Sequence, residues 1–171
     1  EPIDCLDIMN IIGKIVVAGN VRRSAQIAIG DYDDVAFLQA KSWDLGNVPN
    51  WRAMSNNSVI CSDTSKLPQE FWDTYEKGEP YGLINIELAK ICGRLGETQF
   101  PDPDVEGFNP CAEQSLADKE TCCLAELFLP NIESQEELIR VASYLYRINK
   151  HSLALPCHLK ETEAIVHKNM R

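Results

Sequence analysis

Long apolar runs, Cys-x-x-Cys pairs and clusters of basic residues are all missing from this sequence of 171 residues. No apolar run approaches the roughly 20 residues that span a bilayer, and no segment has the pattern of a signal peptide, so we predict no membrane segment. Lys and Arg total 16 against 26 Asp and Glu, a net charge of −10, so we expect no nucleic-acid-binding surface. A single nucleotide remains compatible, because helix N-termini and one or two arginines can hold phosphates.

Cysteine is plentiful by contrast, with seven residues at positions 5, 61, 92, 111, 122, 123 and 157. Free cysteines without a secretory pattern are typical of a reducing compartment, so we predict a cytoplasmic protein. The missing Cys-x-x-Cys pair argues against zinc. His151, Cys157 and His158 have poor spacing for ligands, and we predict no metal site.

Three chemically different side chains stand at alternate positions in Asn109, Cys111 and Glu113. In an extended chain this spacing places them on one face, and Pro110 biases Asn109 towards extended angles. A thiol can carry a one-electron or nucleophilic step, a carboxylate can move a proton and an amide can hold a hydroxyl. The plainer interpretation is a turn with a buried cysteine and two surface polar residues.

The surrounding stretch, GFNPCAEQSL at residues 107–116, closely resembles the active-site finger loop of ribonucleotide reductases. It is most similar to the adenosylcobalamin-dependent (class II) branch, particularly its monomeric ribonucleoside-triphosphate reductases. Further stretches match the family in the family's own order, so that the resemblance covers almost the whole chain. They are GNVRRSA at 19–25, WRAMSNNS at 51–58, GEPYGLIN at 78–85, CCLAE at 122–126 and ETEAIVHKN at 161–169.

The resemblance implies a role for each residue of the Asn-x-Cys-x-Glu pattern. Cys111 would carry a thiyl radical that removes the 3′-hydrogen of the ribonucleotide. Glu113 would take the proton of the 3′-hydroxyl as a general base. Asn109 would orient the ribose hydroxyls through its amide; alternatively it is a turn-forming Asn before Pro.

A redox cysteine is implied at Cys122, which lies eleven residues after Cys111. The resemblance implies that it forms a disulfide with a distant upstream cysteine outside these residues, later reduced by thioredoxin or an equivalent dithiol. Cys123 is adjacent, and neighbours on an extended strand face opposite sides, so only one can face the substrate. Spacing favours Cys122. A thiol oxidoreductase with a Cys122–Cys123 disulfide is disfavoured, because the ring would be strained.

The resemblance implies that Asn20, Arg22 and Arg23 belong to the specificity loop, which responds to the bound effector. Arg22 matches the family's motif better than Arg23. A guanidinium can bind a phosphate bidentately or stack on a base. The alternative is a pair of surface arginines at a helix end.

The fold implied by the resemblance is part of a ten-stranded α/β barrel with the finger loop inside. Residues 1–171 would be one incomplete piece of that barrel domain, starting within an apolar pattern at Glu1 and stopping at Met170 and Arg171, where the family continues into another strand. Apolar periodicity and capping residues predict the individual elements. They are helices at 3–17 with Asp4 as a cap, 31–41 with Asp31 as a cap, 68–77, 83–92, 134–149 with Ser134 as a cap and 156–168, and strands at 25–29, 58–61 and 123–129.

The function implied is reduction of ribonucleotides, as triphosphates, to 2′-deoxyribonucleotides for DNA synthesis. Adenosylcobalamin would be the radical source, bound outside these residues, and a deoxynucleotide would be the allosteric effector. The chain alone would be inactive. An alternative is the large subunit of an iron-dependent (class I) diphosphate reductase. The residues at positions 22–25 and 109–114, however, favour the cobalamin branch. A non-catalytic nucleotide-binding relative is a further alternative; the presence of Cys111, Glu113 and Asn109 disfavours it.

Overall fold

A computed structural model of the chain describes residues 2–46, 48–80, 82–93 and 98–169. Tyr81 of the 78–85 match, Glu1, Met170 and Arg171 lie outside the described residues. The chain divides into two compact units, Glu1–Ser115 and Leu116–Arg171, and each is described by itself. That both belong to one barrel domain stays a prediction.

The first unit is built on a parallel sheet of three strands, in the order β1 Gln26–Asp31, β2 Ser55–Ile60 and β3 Gly82–Ile84. Gln26 pairs with Ser55 at the start of β1 and β2, and Ser58 pairs with Gly82 at the start of β3. Parallel neighbours need crossover connections, and helices supply them here. The elements are α1 Pro2–Ala18, β1 Gln26–Asp31, α2 Val35–Gln39, β2 Ser55–Ile60, α3 Gln69–Tyr75, β3 Gly82–Ile84, α4 Ile86–Cys92, β4 Gly107–Phe108 and β5 Ser115–Leu116, with 3-10 turns at Trp43–Leu45, Asn50–Met54 and Thr64–Lys66. The mixed α/β class is confirmed, whereas the ten-stranded barrel stays a prediction.

The core of this unit lies where α2 and α3 pack on the central strand β2. Its buried cluster consists of Phe37, Leu38, Val59, Cys61, Leu67 and Phe71. Gly30 of β1 is required for this packing, because a Cβ there would lie 2.5 Å from the Phe37 ring. Helix α2 therefore packs tightly against β1 at this position.

A buried ion pair fixes the start of β2. Lys41 is 3% exposed and its Nζ donates to Glu79 Oε2 at 2.6 Å and to the Ser55 carbonyl. The same Glu79 oxygen accepts from the Asn57 N–H at 2.9 Å. A charge taken out of water needs such partners, so these contacts lock the first residues of β2 in place.

Helix α1 is held to the rest of the unit by a bidentate ion pair. Arg52 donates from Nε to Asp7 Oδ1 at 2.6 Å and from Nη2 to Asp7 Oδ2 at 2.8 Å. Trp51 Nε1 also donates to Asp7 Oδ1, at 3.1 Å. The Arg52 hydrogen bonds lower the pKa of Asp7, and Asp7 in turn raises the pKa of Arg52. Trp51 and Arg52 belong to a segment that resembles the family in sequence, and in the structure they attach α1 to the rest of the unit.

The second unit contains two helices, α5 Gln135–Leu153 and α6 Lys160–Asn169, and a 3-10 turn at Leu129–Asn131. Ser134 caps α5 as predicted, because its side chain accepts from the Glu137 N–H. None of the helices in the described part of the chain is both long and apolar enough to cross a membrane.

Several local predictions are wrong. Residues 121–128 form no strand, and Asp31 ends β1 while Asp34 caps the short helix α2. Leu83 lies in β3, so that the following helix begins only at Ile86. Asp4 lies inside the first turn of α1. Pairing with β2 keeps Asp31 in β1 and Leu83 in β3, and in these two cases strand pairing outweighs the local pattern.

Replacing Arg52 with Lys tests the attachment of α1. A lysine cannot reproduce the bidentate geometry, so we expect loss of about 1 kcal/mol and about fivefold faster hydrogen exchange of the α1 amides in the full-length gene product. The exposed pair between Lys77 and Asp44 provides the control, since Lys77→Ala should change nothing measurable. Unchanged exchange in Arg52→Lys would contradict the assignment.

The same ion pair predicts a pH dependence. Because the pKa of Asp7 is lowered in the folded protein, its stabilising contribution is complete above the ordinary value of about 4 and is lost as the pH falls through the lowered folded value. Asp7→Asn should therefore flatten the acid-induced loss of α1 protection. An acid profile identical to that of the wild type would exclude this contribution.

Candidate active site

Residues 107–116 form a tight hairpin rather than the extended segment that the spacing predicts. β4 and β5 are its two short strands, and the Asn109 N–H donates to the Gln114 carbonyl at 3.0 Å. The Ala112 N–H donates back to the Asn109 carbonyl at 2.9 Å, and Ala112 has a φ of +63°. A left-handed alanine costs roughly 1 kcal/mol, so the loop bonds must hold it.

The side chain of Asn109 is the internal brace of this hairpin. It is buried, at 5% exposed. Its Nδ2 donates to Glu113 Oε1 at 2.5 Å, and its Oδ1 accepts from the Gln114 N–H at 3.0 Å. Both ends of the amide are therefore engaged inside the loop. The predicted contact of this amide with ribose hydroxyls stays a prediction, and the geometry adds a second role, because Asn109 also orients Glu113.

Cys111 and Glu113 are both exposed on the same loop. The hairpin places the Asn109 amide against the Glu113 carboxylate, and Cys111 lies exposed in the same turn. The plainer interpretation was correct about the turn and about an exposed Glu113, and it was wrong about a buried cysteine and about a surface position for Asn109.

Two clefts flank the hairpin within the first unit. One, of about 640 Å³, lies along α1 and β1 and is lined by Phe108 and Pro110 of the loop. The other, of about 310 Å³, lies beside α4 and is lined by Phe108 and Ala112. Cys111 lines neither cleft, but its chain neighbours Pro110 and Ala112 each line one of them.

Asn56 has no role predicted from the sequence, yet its side chain reaches the loop. Asn56 Nδ2 donates to the Pro110 carbonyl at 2.8 Å. The stretch 51–58 had signalled its importance only through resemblance, because a contact between residues 54 positions apart has no local signature.

Cys122 and Cys123 lie in the irregular segment before α5, and both are half-buried. The Cys123 thiol contacts Asn149 Oδ1 at 3.9 Å, a contact within the range for sulfur. Because the segment is not a strand, opposite facing does not decide between the two cysteines. The assignment of Cys122 stays a prediction.

Asn20, Arg22 and Arg23 follow the end of α1. Asn20 has a φ of +56° and its N–H donates to the Val17 carbonyl at 3.0 Å, which ends the helix. Arg22 and Arg23 are exposed in a segment without regular structure. Both side chains are accessible to solvent, and their effector role stays a prediction. Among the described residues, no group of three or more His, Cys, Asp or Glu is placed to hold a metal ion.

Asn109→Ala tests the brace. Removal of the Asn109 oxygen takes away the acceptor of the Gln114 N–H, so we expect about fivefold faster hydrogen exchange at that amide in the full-length gene product. Cys111→Ala is the matched control, because it changes an exposed side chain of the same loop and leaves both Asn109 contacts in place. Equal exchange rates in the two variants would show that Asn109 does not organise the loop.

No protein-family model and no solved structure matches this chain. Curated relatives match it along nearly its whole length. The chain is 41% identical over 99% of its length to a protein of Lactobacillus delbrueckii subsp. bulgaricus and 38% identical over 99% to one of Lactobacillus helveticus, covering 23% of each. It is 43% identical over 78% of its length to a protein of Lactobacillus acidophilus, covering 18% of it. All three are named adenosylcobalamin-dependent ribonucleoside-triphosphate reductase.

The chain spans about 23% of the length of the first of these relatives. The predicted resemblance to the cobalamin-dependent branch is confirmed by their names and by the extent of the match. Over nearly its whole length, this chain is similar to a segment of proteins named adenosylcobalamin-dependent ribonucleoside-triphosphate reductase.

Proposed function

We propose that this chain supplies the radical-carrying loop of an adenosylcobalamin-dependent reductase that converts ribonucleoside triphosphates to 2′-deoxyribonucleotides. The observation that carries the proposal is the hairpin at 107–116, in which Cys111 and Glu113 are exposed together while Asn109 orients the carboxylate. The names of the relatives point to the same reaction and substrate class. The hairpin would be the finger loop inside the barrel.

In this reaction a thiyl radical at Cys111 takes the 3′-hydrogen of the ribose. An S–H bond forms as the C3′–H bond breaks, and the unpaired electron moves to C3′. The two bonds have similar strengths, so the transfer is reversible. When bound, adenosylcobalamin supplies the initiating radical.

Glu113 then removes the proton of the 3′-hydroxyl. Deprotonation makes the C3′ radical a stronger reductant and promotes loss of the 2′-hydroxyl as water. The proton for that water would come from the pair of reducing thiols, which release two protons with their two electrons as they form a disulfide. A general base must be held within hydrogen-bonding reach of its proton. The contact of 2.5 Å between Asn109 Nδ2 and Glu113 Oε1 supplies that orientation before any substrate binds, which lowers the entropic cost of the step.

Cys122 and a second cysteine would supply the two electrons for reduction and become a disulfide. Thioredoxin or another dithiol would restore both thiols. Arg22 and Arg23, after the turn at Asn20, would contact a deoxynucleotide effector or the segment that reads it. The cytoplasmic location follows from this chemistry, because the thiols must stay reduced.

The iron-dependent class I subunit is the weaker alternative. It shares the pattern of amide, thiol and carboxylate. The curated relatives described above, however, carry the name of the cobalamin-dependent enzyme, and this favours adenosylcobalamin as the radical source.

Cys111→Ser tests the proposal directly. A hydroxyl cannot form a radical of suitable energy, so ribonucleoside-triphosphate reduction by the full-length gene product with adenosylcobalamin and a dithiol should fall below about 0.1% of wild type. Cys157→Ser, at a half-buried cysteine of the second unit, should keep its activity. Undiminished reduction in Cys111→Ser would rule out the radical role. Wild-type activity that needs an iron-containing partner subunit would favour class I.

A separate experiment decides between the adjacent cysteines. Reduced full-length enzyme is mixed with substrate and adenosylcobalamin without a reductant, and the product disulfide is mapped by mass spectrometry. We expect Cys122 in the disulfide, with Cys122→Ser losing turnover on thioredoxin while Cys123→Ser retains it. A disulfide at Cys123 would transfer the assignment to that residue.

A further inference from the structure

A side chain of the parallel sheet contacts the loop that carries Cys111. Asn56 of β2 is half-buried, and its Nδ2 donates to the Pro110 carbonyl at 2.8 Å across 54 positions of sequence. Neither the resemblance nor the names of the relatives assign a role to this residue.

The backbone that carries Asn56 is firmly placed. β2 pairs with β1 from Ser55 to Ile60, with Asn56 opposite Ile27. On the other face of the strand, Ser55 Oγ donates to Asn57 Oδ1 at 3.0 Å, and the Asn57 N–H is held by Glu79. Since side chains alternate along a strand, Asn56 points away from that buried network. Its amide therefore extends from a fixed support.

The acceptor of this hydrogen bond is part of the peptide group between Pro110 and Cys111. A peptide group is planar and includes the Cα atoms of both residues. Fixing the Pro110 oxygen therefore fixes the plane from which the Cys111 side chain projects. The bonds of Asn109 close the hairpin on itself, whereas the bond of Asn56 orients the hairpin against the sheet.

We propose that Asn56 is a positioning residue, which holds the Pro110–Cys111 peptide so that the thiol meets the 3′-hydrogen of the substrate. The inference rests on the proposed function of Cys111 and extends it, because it identifies Asn56 as the residue that orients the thiol. Hydrogen-atom transfer requires the two heavy atoms in near contact, and a misplacement of about 1 Å can cost about a hundredfold in rate.

Asn56→Asp is the sharpest test. The new side chain has the same size, but an ionised carboxylate cannot donate and its charge would face the Pro110 oxygen. In the full-length gene product we expect kcat to fall about ten- to a hundredfold, with KM for the nucleotide within about twofold. Hydrogen exchange within residues 109–114 should accelerate while that of β1 and β2 stays unchanged, which a general loss of stability would not produce.

Asn50→Asp is the matched control. It introduces the same charge at an exposed position of the first unit, and it keeps the oxygen that accepts from Lys14 Nζ at 2.8 Å. Its kcat and loop exchange should equal those of the wild type. Asn56→Gln, which keeps the donor on a longer side chain, should recover part of kcat.

Loop exchange and kcat within about twofold of wild type in Asn56→Asp would overturn the inference. If Asn56→Asp also loosens β1 and β2, Asn56→Ala removes the donor without adding charge and is judged by the same two measurements. Absence of reductase activity in both the wild type and Asn50→Asp would instead contradict the proposed function. Exchange in the loop would still show whether Asn56 holds Pro110.

Discussion

The hydrogen bonds of one buried amide organise the candidate site. Asn109 Oδ1 accepts a hydrogen bond from the Gln114 N–H and closes the hairpin, while its Nδ2 donates to the Glu113 carboxylate. This arrangement forces the turn in which Ala112 adopts a positive φ, and the turn leaves Cys111 exposed at the tip. A shorter or apolar residue at 109 would leave both the N–H of Gln114 and the carboxylate without this partner. The chemistry of the loop therefore depends on an interaction that does not itself react.

The parallel sheet holds this hairpin in position. Lys41 and Glu79 fix the first residues of β2, and Asn56 passes that constraint to the Pro110 carbonyl. The buried ion pair is costly to dehydrate, and its value here lies in a defined position for the strand rather than in net stability. Rigid support beneath an exposed reactive group is the arrangement expected where the direction of attack decides the rate.

Much of this architecture could be predicted from the sequence, because its signals are local. Helix α1 follows from its apolar spacing, and the start of α5 follows from Ser134 and Glu137, which lie within one turn. The strand predicted from the apolar stretch at 123–129 is absent, because a strand needs a pairing partner and local sequence does not supply one. Asp31 resembled a cap, but pairing with Ile60 keeps it in β1. A turn at this segment was one of the two interpretations, but the positive φ of Ala112 could not be foreseen, because alanine carries no preference for it. The residue types of the site were readable from the pattern, whereas the contacts of Asn56 and Asn109 required the folded chain.

The central claim is that Cys111 carries the unpaired electron. Its most direct test is rapid freeze-quench electron paramagnetic resonance of the full-length gene product mixed with adenosylcobalamin and an effector, using cysteine deuterated at Cβ. A radical on Cys111 predicts a signal whose lines narrow on deuteration and which is absent from Cys111→Ser. A signal that is unchanged by deuteration, or that persists in Cys111→Ser, would contradict the account.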